Sequence, residues 1–134
     1  MFRSDHFAFR VSDLDASIAF YTEKLGLPFM FKKVDPEMRE AFAYLELEGG
    51  NLELLQLLDA HGNPVPMEQR DIEPPYTPHL ALGTDDLDGL LAKAKAAGVP
   101  VVDGPFDTPG LVKWVYLSDP DNNVIEFVQW VKQD

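Results

Sequence analysis

The stretch His6-Phe7-Ala8-Phe9-Arg10-Val11-Ser12-Asp13-Leu14-Asp15 decides the fold. It returns 73 residues later as His79-Leu80-Ala81-Leu82-Gly83-Thr84-Asp85-Asp86-Leu87-Asp88. His-x-Ala opens both copies and Asp-Leu-Asp closes both. Glu53-Leu54 returns at the same spacing as Glu126-Phe127, whereas Gly26-Leu27-Pro28 returns one residue early as Gly98-Val99-Pro100. Self-similarity at a fixed spacing marks one supersecondary unit used twice. A repeat that keeps a helix boundary asks only for packing. One that also keeps a His near its start and a Glu near its end points to two halves of a metal site.

Each copy reads as the same succession of elements. Residues 6–11 are rich in Phe and Val and form a strand. Ser12 or Asp13 caps a helix that carries Leu14, Ile18, Tyr21 and Leu25 at helical spacing. Gly26 ends that helix and Pro28 bars its continuation. Strands follow at 29–34, 41–48 and 52–58, the last two joined by a hairpin signal, Gly49-Gly50-Asn51. In the second copy, 79–83 is a strand and Thr84 or Asp85 caps a helix to about Ala97. Val101 and Val102 begin a short strand, and 111–118 and 124–131 form a hairpin. Its connection, Asp119-Pro120-Asp121-Asn122-Asn123, is dense in turn formers and reads as a turn in preference to a cation loop. The expected class is α+β: two βαβββ modules in tandem, each a curved mixed sheet with one helix, together forming a metal-binding cleft. Module one covers about 1–58, a proline-rich linker about 59–77, and module two about 78–134, within one domain.

With 134 residues the chain is long enough for a sizeable core. Its 23 acidic and 11 basic residues give a formal charge of −12. That balance excludes nucleic acid and anionic membrane as partners, since phosphate recognition relies on clustered Lys and Arg. The absence of cysteine excludes disulfides, thiolate catalysis and cysteine-ligated zinc. No apolar run approaches the roughly 20 residues that span a bilayer. The opening MFRSDHFAFR has no signal-peptide apolar region, so a cytoplasmic protein is expected.

Alternate strand residues face opposite sides. His6, Ala8 and Arg10 therefore share one face, and Phe7, Phe9 and Val11 the other, which suits packing beneath a helix. His79, Ala81 and Gly83 repeat that choice against Leu80 and Leu82. Glu53 shares its face with Leu55 and Leu57, and Glu126 with Val124 and Val128. A carboxylate among aliphatic side chains is costly to bury unless paired or metal-bound. Two such misfits at equivalent positions single out His6, Glu53, His79 and Glu126 as ligands of one divalent ion. Two imidazoles and two carboxylates suit Zn, Ni, Co, Mn or Fe(II), and the donor set does not choose between them. His61 lies in the linker, outside the repeat, and is not counted. Phe31, Tyr44, Trp114 and Tyr116 are aromatics that either line a substrate wall or belong to the core.

The motifs running from His6 to Tyr21, from His79 to Leu82 and from Asp119 to Glu126 resemble the vicinal oxygen chelate superfamily along nearly the whole chain. That superfamily includes glyoxalase I, methylmalonyl-CoA epimerase, extradiol dioxygenases, and fosfomycin- and bleomycin-resistance proteins. The ligand pattern is most similar to that of glyoxalase I-like metalloenzymes, whose four positions fall on His6, Glu53, His79 and Glu126. The resemblance implies a metal-dependent lyase or isomerase that moves a proton next to a carbonyl through a metal-bound enediolate. Its substrate would be a thiol adduct of a 2-oxoaldehyde. Glu126 would be the catalytic base, Glu53 its symmetric counterpart, and Arg10 the residue holding a substrate carboxylate. The resemblance also implies a homodimer, with the site completed within one chain or across two. One departure stands out: Leu57 occupies the place of an asparagine that contacts glutathione, which puts the identity of the thiol in question.

Rival readings are a methylmalonyl-CoA epimerase-like isomerase and a non-catalytic drug- or metabolite-binding protein. The epimerase lacks a stretch like Asp119–Asn123 before its final strand, and a pure binder has no need of four aligned ligands. Oxygen activation at Fe(II) favours fewer protein ligands and more open positions.

Overall fold

The computed structural model describes residues 1–132, and the chain divides into two compact units, Met1–Gln69 and the part from Arg70 onward. The first contains β1 (His6–Arg10), α1 (Leu14–Ala19), β2 (Phe29–Asp35), β3 (Glu40–Leu45) and β4 (Asn51–Leu57). The second contains β5 (Leu80–Gly83), α2 (Leu87–Ala96), β6 (Val101–Thr108), β7 (Val112–Ser118) and β8 (Val124–Trp130). Their sheets have the matching orders β1-β4-β3-β2 and β5-β8-β7-β6. In each, the first strand lies parallel to the last, and the remaining pairs are antiparallel. The expected βαβββ repeat and α+β class are therefore present in both units. No helix among the described residues is long and apolar enough to cross a membrane.

Each sheet buries one face. In the first unit Phe9, Val11, Ala43, Leu45, Leu52 and Leu54 are buried together with Leu14 and Tyr21 of the helical segment. In the second, Val115, Leu117, Ile125 and Phe127 are buried together with Leu87, Leu91 and Ala94 of α2. Each fully buried large side chain contributes about 1.5–3 kcal/mol, so these faces fix the register. A slip of one residue would turn His6 and Glu53 into the core. The opposite face of β1 carries His6 and Ala8, both exposed, as the alternation requires.

The two helices start alike. Asp13 caps α1 by accepting from Ala16 N at 3.1 Å, and Asp86 caps α2 by accepting from Gly89 N at 3.0 Å. Asp86, not Thr84 or Asp85, is the cap because it is the repeat counterpart of Asp13; the Thr84 hydroxyl instead accepts from Asp86 N. A second device ties helix to sheet. Gln56 accepts from Leu14 N at 3.1 Å and donates to Ser12 O at 2.9 Å. Gln129, 73 residues on, does the same with Leu87 N and Asp85 O, each at 2.9 Å. Both glutamines thus satisfy helix-start groups that would otherwise be orphaned.

The helices end differently. After α1 the chain continues through a π-helical turn, Phe20–Lys24. The Thr22 hydroxyl donates to Ile18 O at 2.8 Å there, a back-bond that loosens regular α-helical pairing. Gly26 then reverses the chain at φ 75°, as Gly98 does after α2 at φ 78°.

Two segments differ from the sequence expectation. The edge strand of the second sheet, β6, runs to Thr108 with two register shifts, a longer element than Val101-Val102 suggests. Residues 59–64 form a tight turn: Asp59 Oδ1 accepts from His61 N and Asn63 N, and Leu58 bridges Pro64. These bonds hold the Asp59 carboxyl below its ordinary range. Asp119 builds the same turn with Asp121 N and Asn123 N, which accounts for that acidic stretch as a hairpin connection.

Candidate functional site

The parallel pairing of first and last strands brings each histidine to its glutamate. In the first unit Ala8 lies opposite Glu53, one pleat on from His6, and His6 Nε2 stands 3.9 Å from Glu53 Oε1. In the second, Ala81 lies opposite Glu126, and His79 Nε2 stands 2.8 Å from Glu126 Oε1. Both glutamates are largely covered, with side chains 14% and 16% exposed, among the leucines and valines of their own face. His79 sits immediately before β5, at the mouth of the strand, where the sequence placed it inside the strand.

The far nitrogen of each imidazole is engaged as well. His6 Nδ1 lies 2.7 Å from Asp5 Oδ1, and His79 Nδ1 lies 3.1 Å from Tyr76 O. Both of these partners can only accept, so each Nδ1 is the donor; at 2.8 Å His79 Nε2 also donates to Glu126 Oε1, whereas His6 Nε2, 3.9 Å from Glu53 Oε1, makes no hydrogen bond with it. A ligating histidine is held in this tautomer by its outer hydrogen bond.

A third member of each site was not assigned from the sequence. Tyr44 lies across the β3–β4 ladder from Glu53, and Tyr116 across the β7–β8 ladder from Glu126. Each ring centroid is 5.5 Å from the neighbouring histidine ring. Burial raises the Tyr44 phenol above its ordinary value, and the Glu53 carboxylate adds to this by its charge and by accepting the hydroxyl's hydrogen bond. Burial raises Tyr116 too, followed by the charge of Glu126. The pair is visible in the sequence only at a spacing of 72, because the helical segment of the second copy is one residue shorter and the second hairpin, one residue longer, restores 73 only afterwards.

Around these residues each unit carries an aromatic row. Phe31 stacks on Tyr44 at 5.1 Å and 15°, with Phe42 edge-on to both. In the second unit Tyr76 packs on Tyr116 at 4.8 Å, and Phe106 on Trp114 at 5.3 Å. The Tyr76 hydroxyl donates to Asp103 Oδ2 at 2.6 Å, and that bond raises its phenol. Phe31 is exposed, and Tyr44, Trp114 and Tyr116 are partly exposed, on the faces that carry the His–Glu pairs, not in the core.

The remaining candidates fall as follows. Arg10 is partly buried on the face of His6, opposite Leu55. Leu57 closes β4 opposite Glu40. His61 is exposed in the Asp59 turn. Within neither unit do three or more His, Asp or Glu side chains among the described residues gather as a metal-binding group, so the donors come as two pairs. Imidazole nitrogen and carboxylate oxygen are the right chemistry for a borderline divalent ion. Neighbouring donors about 2.1 Å from an ion stand about 3 Å apart. The second pair has that separation, and the first needs to draw inward.

Comparison with known proteins follows the same outline. The model of the Glyoxalase/Bleomycin resistance protein/Dioxygenase superfamily matches residues 3–127. A probable lactoylglutathione lyase of Vibrio cholerae is 30% identical over 137 aligned positions, covering 92% of this chain and 88% of that protein. The trypanothione-dependent glyoxalase I of Leishmania major superposes with a TM-score of 0.73 at 28% identity, covering 96% of this chain and 87% of that one. TnmS3, an antibiotic-binding protein from Streptomyces sp. CB03234, superposes with a TM-score of 0.70 at 26% identity, covering 98% of both.

Proposed function

Given that the chain belongs to the Glyoxalase/Bleomycin resistance protein/Dioxygenase superfamily, we propose that it is a metal-dependent lyase or isomerase of the glyoxalase I type. It acts by proton transfer next to a carbonyl, on a thiol adduct of a 2-oxoaldehyde. The observation that carries this reading is the twice-built pair, His6–Glu53 and His79–Glu126, with Nδ1 of each imidazole bonded away from its glutamate. The four side chains would hold one divalent ion, with Ni, Zn or Co preferred. That ion would supply a Lewis acid for the two vicinal oxygens of an enediolate.

Glu126 removes the proton from the carbon next to the carbonyl and returns it to the neighbouring carbon. Its carboxylate is largely shielded from water beside Tyr116, which favours a base over a solvated surface charge. Glu53 is tied by the Tyr44 hydroxyl and serves as a steady ligand. His6 and His79 remain ligands throughout. Arg10, on the face of His6, takes a carboxylate of the thiol portion. Leu57, where glutathione-using relatives of this type place an amide, favours a thiol other than glutathione. A homodimer belongs to the same proposal, and sedimentation of the purified protein checks it.

Glu126→Gln is the direct test. Turnover of hemithioacetals should fall at least about 100-fold, while metal content stays close to that of the wild type. Retained turnover would contradict the assignment of the base. The resemblance to TnmS3 favours one second reading, a binder of an aromatic antibiotic on the rows around Phe31 and Trp114. Ligand affinity that is unchanged by a chelator, with no turnover of any hemithioacetal, would select that reading.

A further inference from the structure

The two histidines meet their glutamates alike and are supported differently. Nδ1 of His79 rests on a backbone carbonyl, Tyr76 O, at 3.1 Å. Nδ1 of His6 rests on a full carboxylate, Asp5 Oδ1, at 2.7 Å. The repeat explains the difference, since the counterpart of Asp5 is Pro78, which has no polar side chain. The second unit therefore draws its acceptor from two residues further back.

We infer that Asp5 is a positioning residue for metal binding at His6. This rests on the reading of His6 and Glu53 as ligands. A carboxylate accepts and cannot donate, so it holds the proton on Nδ1 and leaves the lone pair of Nε2 facing Glu53. Its charge also makes that nitrogen a stronger donor to a cation, as in carboxylate–histidine–metal arrangements.

The placement of Asp5 comes from the backbone rather than from packing of its side chain. Asp5 O accepts from Asn51 N at 2.8 Å, which extends the β1–β4 pairing by one bond. Gly50, at φ 135°, allows that approach: a Cβ there would lie 3.2 Å from Ser4 Cβ and 3.5 Å from Asp5 O. The Asp5 side chain itself is 83% exposed. An ion pair so exposed adds little to folding stability. A metal effect and a stability effect therefore separate cleanly at this residue.

The experiment measures Zn(II) affinity by competition with a chromophoric chelator, together with thermal unfolding, for the wild type, Asp5→Asn and Asp15→Asn. Asp15 is a comparably exposed acid of the same unit, paired with Lys32 at 2.8 Å, and controls for the loss of one negative charge. Asp5→Asn should weaken Zn(II) binding by about 10–100-fold, with Asp15→Asn close to wild type and both melting as the wild type does. Equal affinity in Asp5→Asn and wild type would overturn the inference, as would an equal loss in Asp15→Asn. A wild type that binds no Zn(II) would overturn the ligand reading itself, and this inference with it.

Discussion

The His6–Glu53 pair and the His79–Glu126 pair stand on the same scaffold and differ in their state. The first is open, at 3.9 Å, with a histidine side chain 38% exposed; the second is closed, at 2.8 Å, with one 18% exposed. The strand register is the same in both, so the sheet decides that a His faces a Glu. The flanking chain decides how far apart they stand. Ahead of β5, Tyr76 packs against Tyr116, bonds Asp103 and offers its carbonyl to His79. Ahead of β1, residues 1–5 are exposed, and Asp5 bonds His6 Nδ1. The comparison teaches that the repeated strands set which residues pair, while the chain outside the strands sets how close and how exposed each pair is.

The sharpest way to break this comparison is to exchange carboxylate for amide in each half. Glu126→Gln should remove turnover and keep most of the metal, whereas Glu53→Gln should lose metal as well. Parallel metal analysis and rate measurements on the two variants check this, and equal behaviour would mean that the halves are interchangeable. Removing the rings comes next in size. His79→Ala, which takes away the less exposed ring already within 2.8 Å of its glutamate, should weaken metal binding more than His6→Ala, by roughly tenfold relative to it. Chelator competition reads that ratio.

A smaller contrast lies in the glutamines that tie helix to sheet. Gln56 is buried and Gln129 is partly exposed. Gln56→Ala removes the buried bond from Leu14 N and the part-buried bond to Ser12 O, and should cost about 1–3 kcal/mol in denaturant unfolding. Gln129→Ala should cost less than about 1 kcal/mol, because water replaces its bonds. The smallest effect is on alkaline stability. Tyr44, Tyr76 and Tyr116 all have phenols raised above 10.0 in the folded chain. A raised value means that the unfolded chain loses its protons first. Stability is therefore full below about pH 10 and declines as the pH rises from there through the folded values. Unfolding followed between pH 9 and 11 checks the sign, and Tyr44→Phe should flatten part of the slope.

The fold was legible in the sequence because the repeat is carried by residues with no freedom to move: a strand's inward side chains, the capping Asp13 and Asp86, and the reversing Gly26 and Gly98. The His–Glu pairs were legible for the same reason, since alternation along a strand fixes which side chains share a face. Tyr44 and Tyr116 were harder to see. The second copy's helical segment, one residue shorter, shifts their spacing to 72, and an aromatic on a strand is by itself no sign of a site. Gln56 and Gln129 do keep the spacing of 73, but a glutamine bonded to a backbone three elements away leaves no mark in composition. The carbonyl of Tyr76 was beyond sequence reasoning altogether. It depends on a left-handed backbone, φ 65°, in a proline-rich segment without periodicity.

The proposed function stands on His6, Glu53, His79 and Glu126 holding a single ion. Elemental analysis of the purified protein, with each of His6→Ala, Glu53→Gln, His79→Ala and Glu126→Gln alongside, tests it. The account predicts close to one divalent ion per chain, with the deepest losses in the histidine variants and the smallest in Glu126→Gln. Two ions per chain, each removed by variants of one pair alone, would contradict it, as would a chain that takes up no Ni, Co, Zn, Mn or Fe.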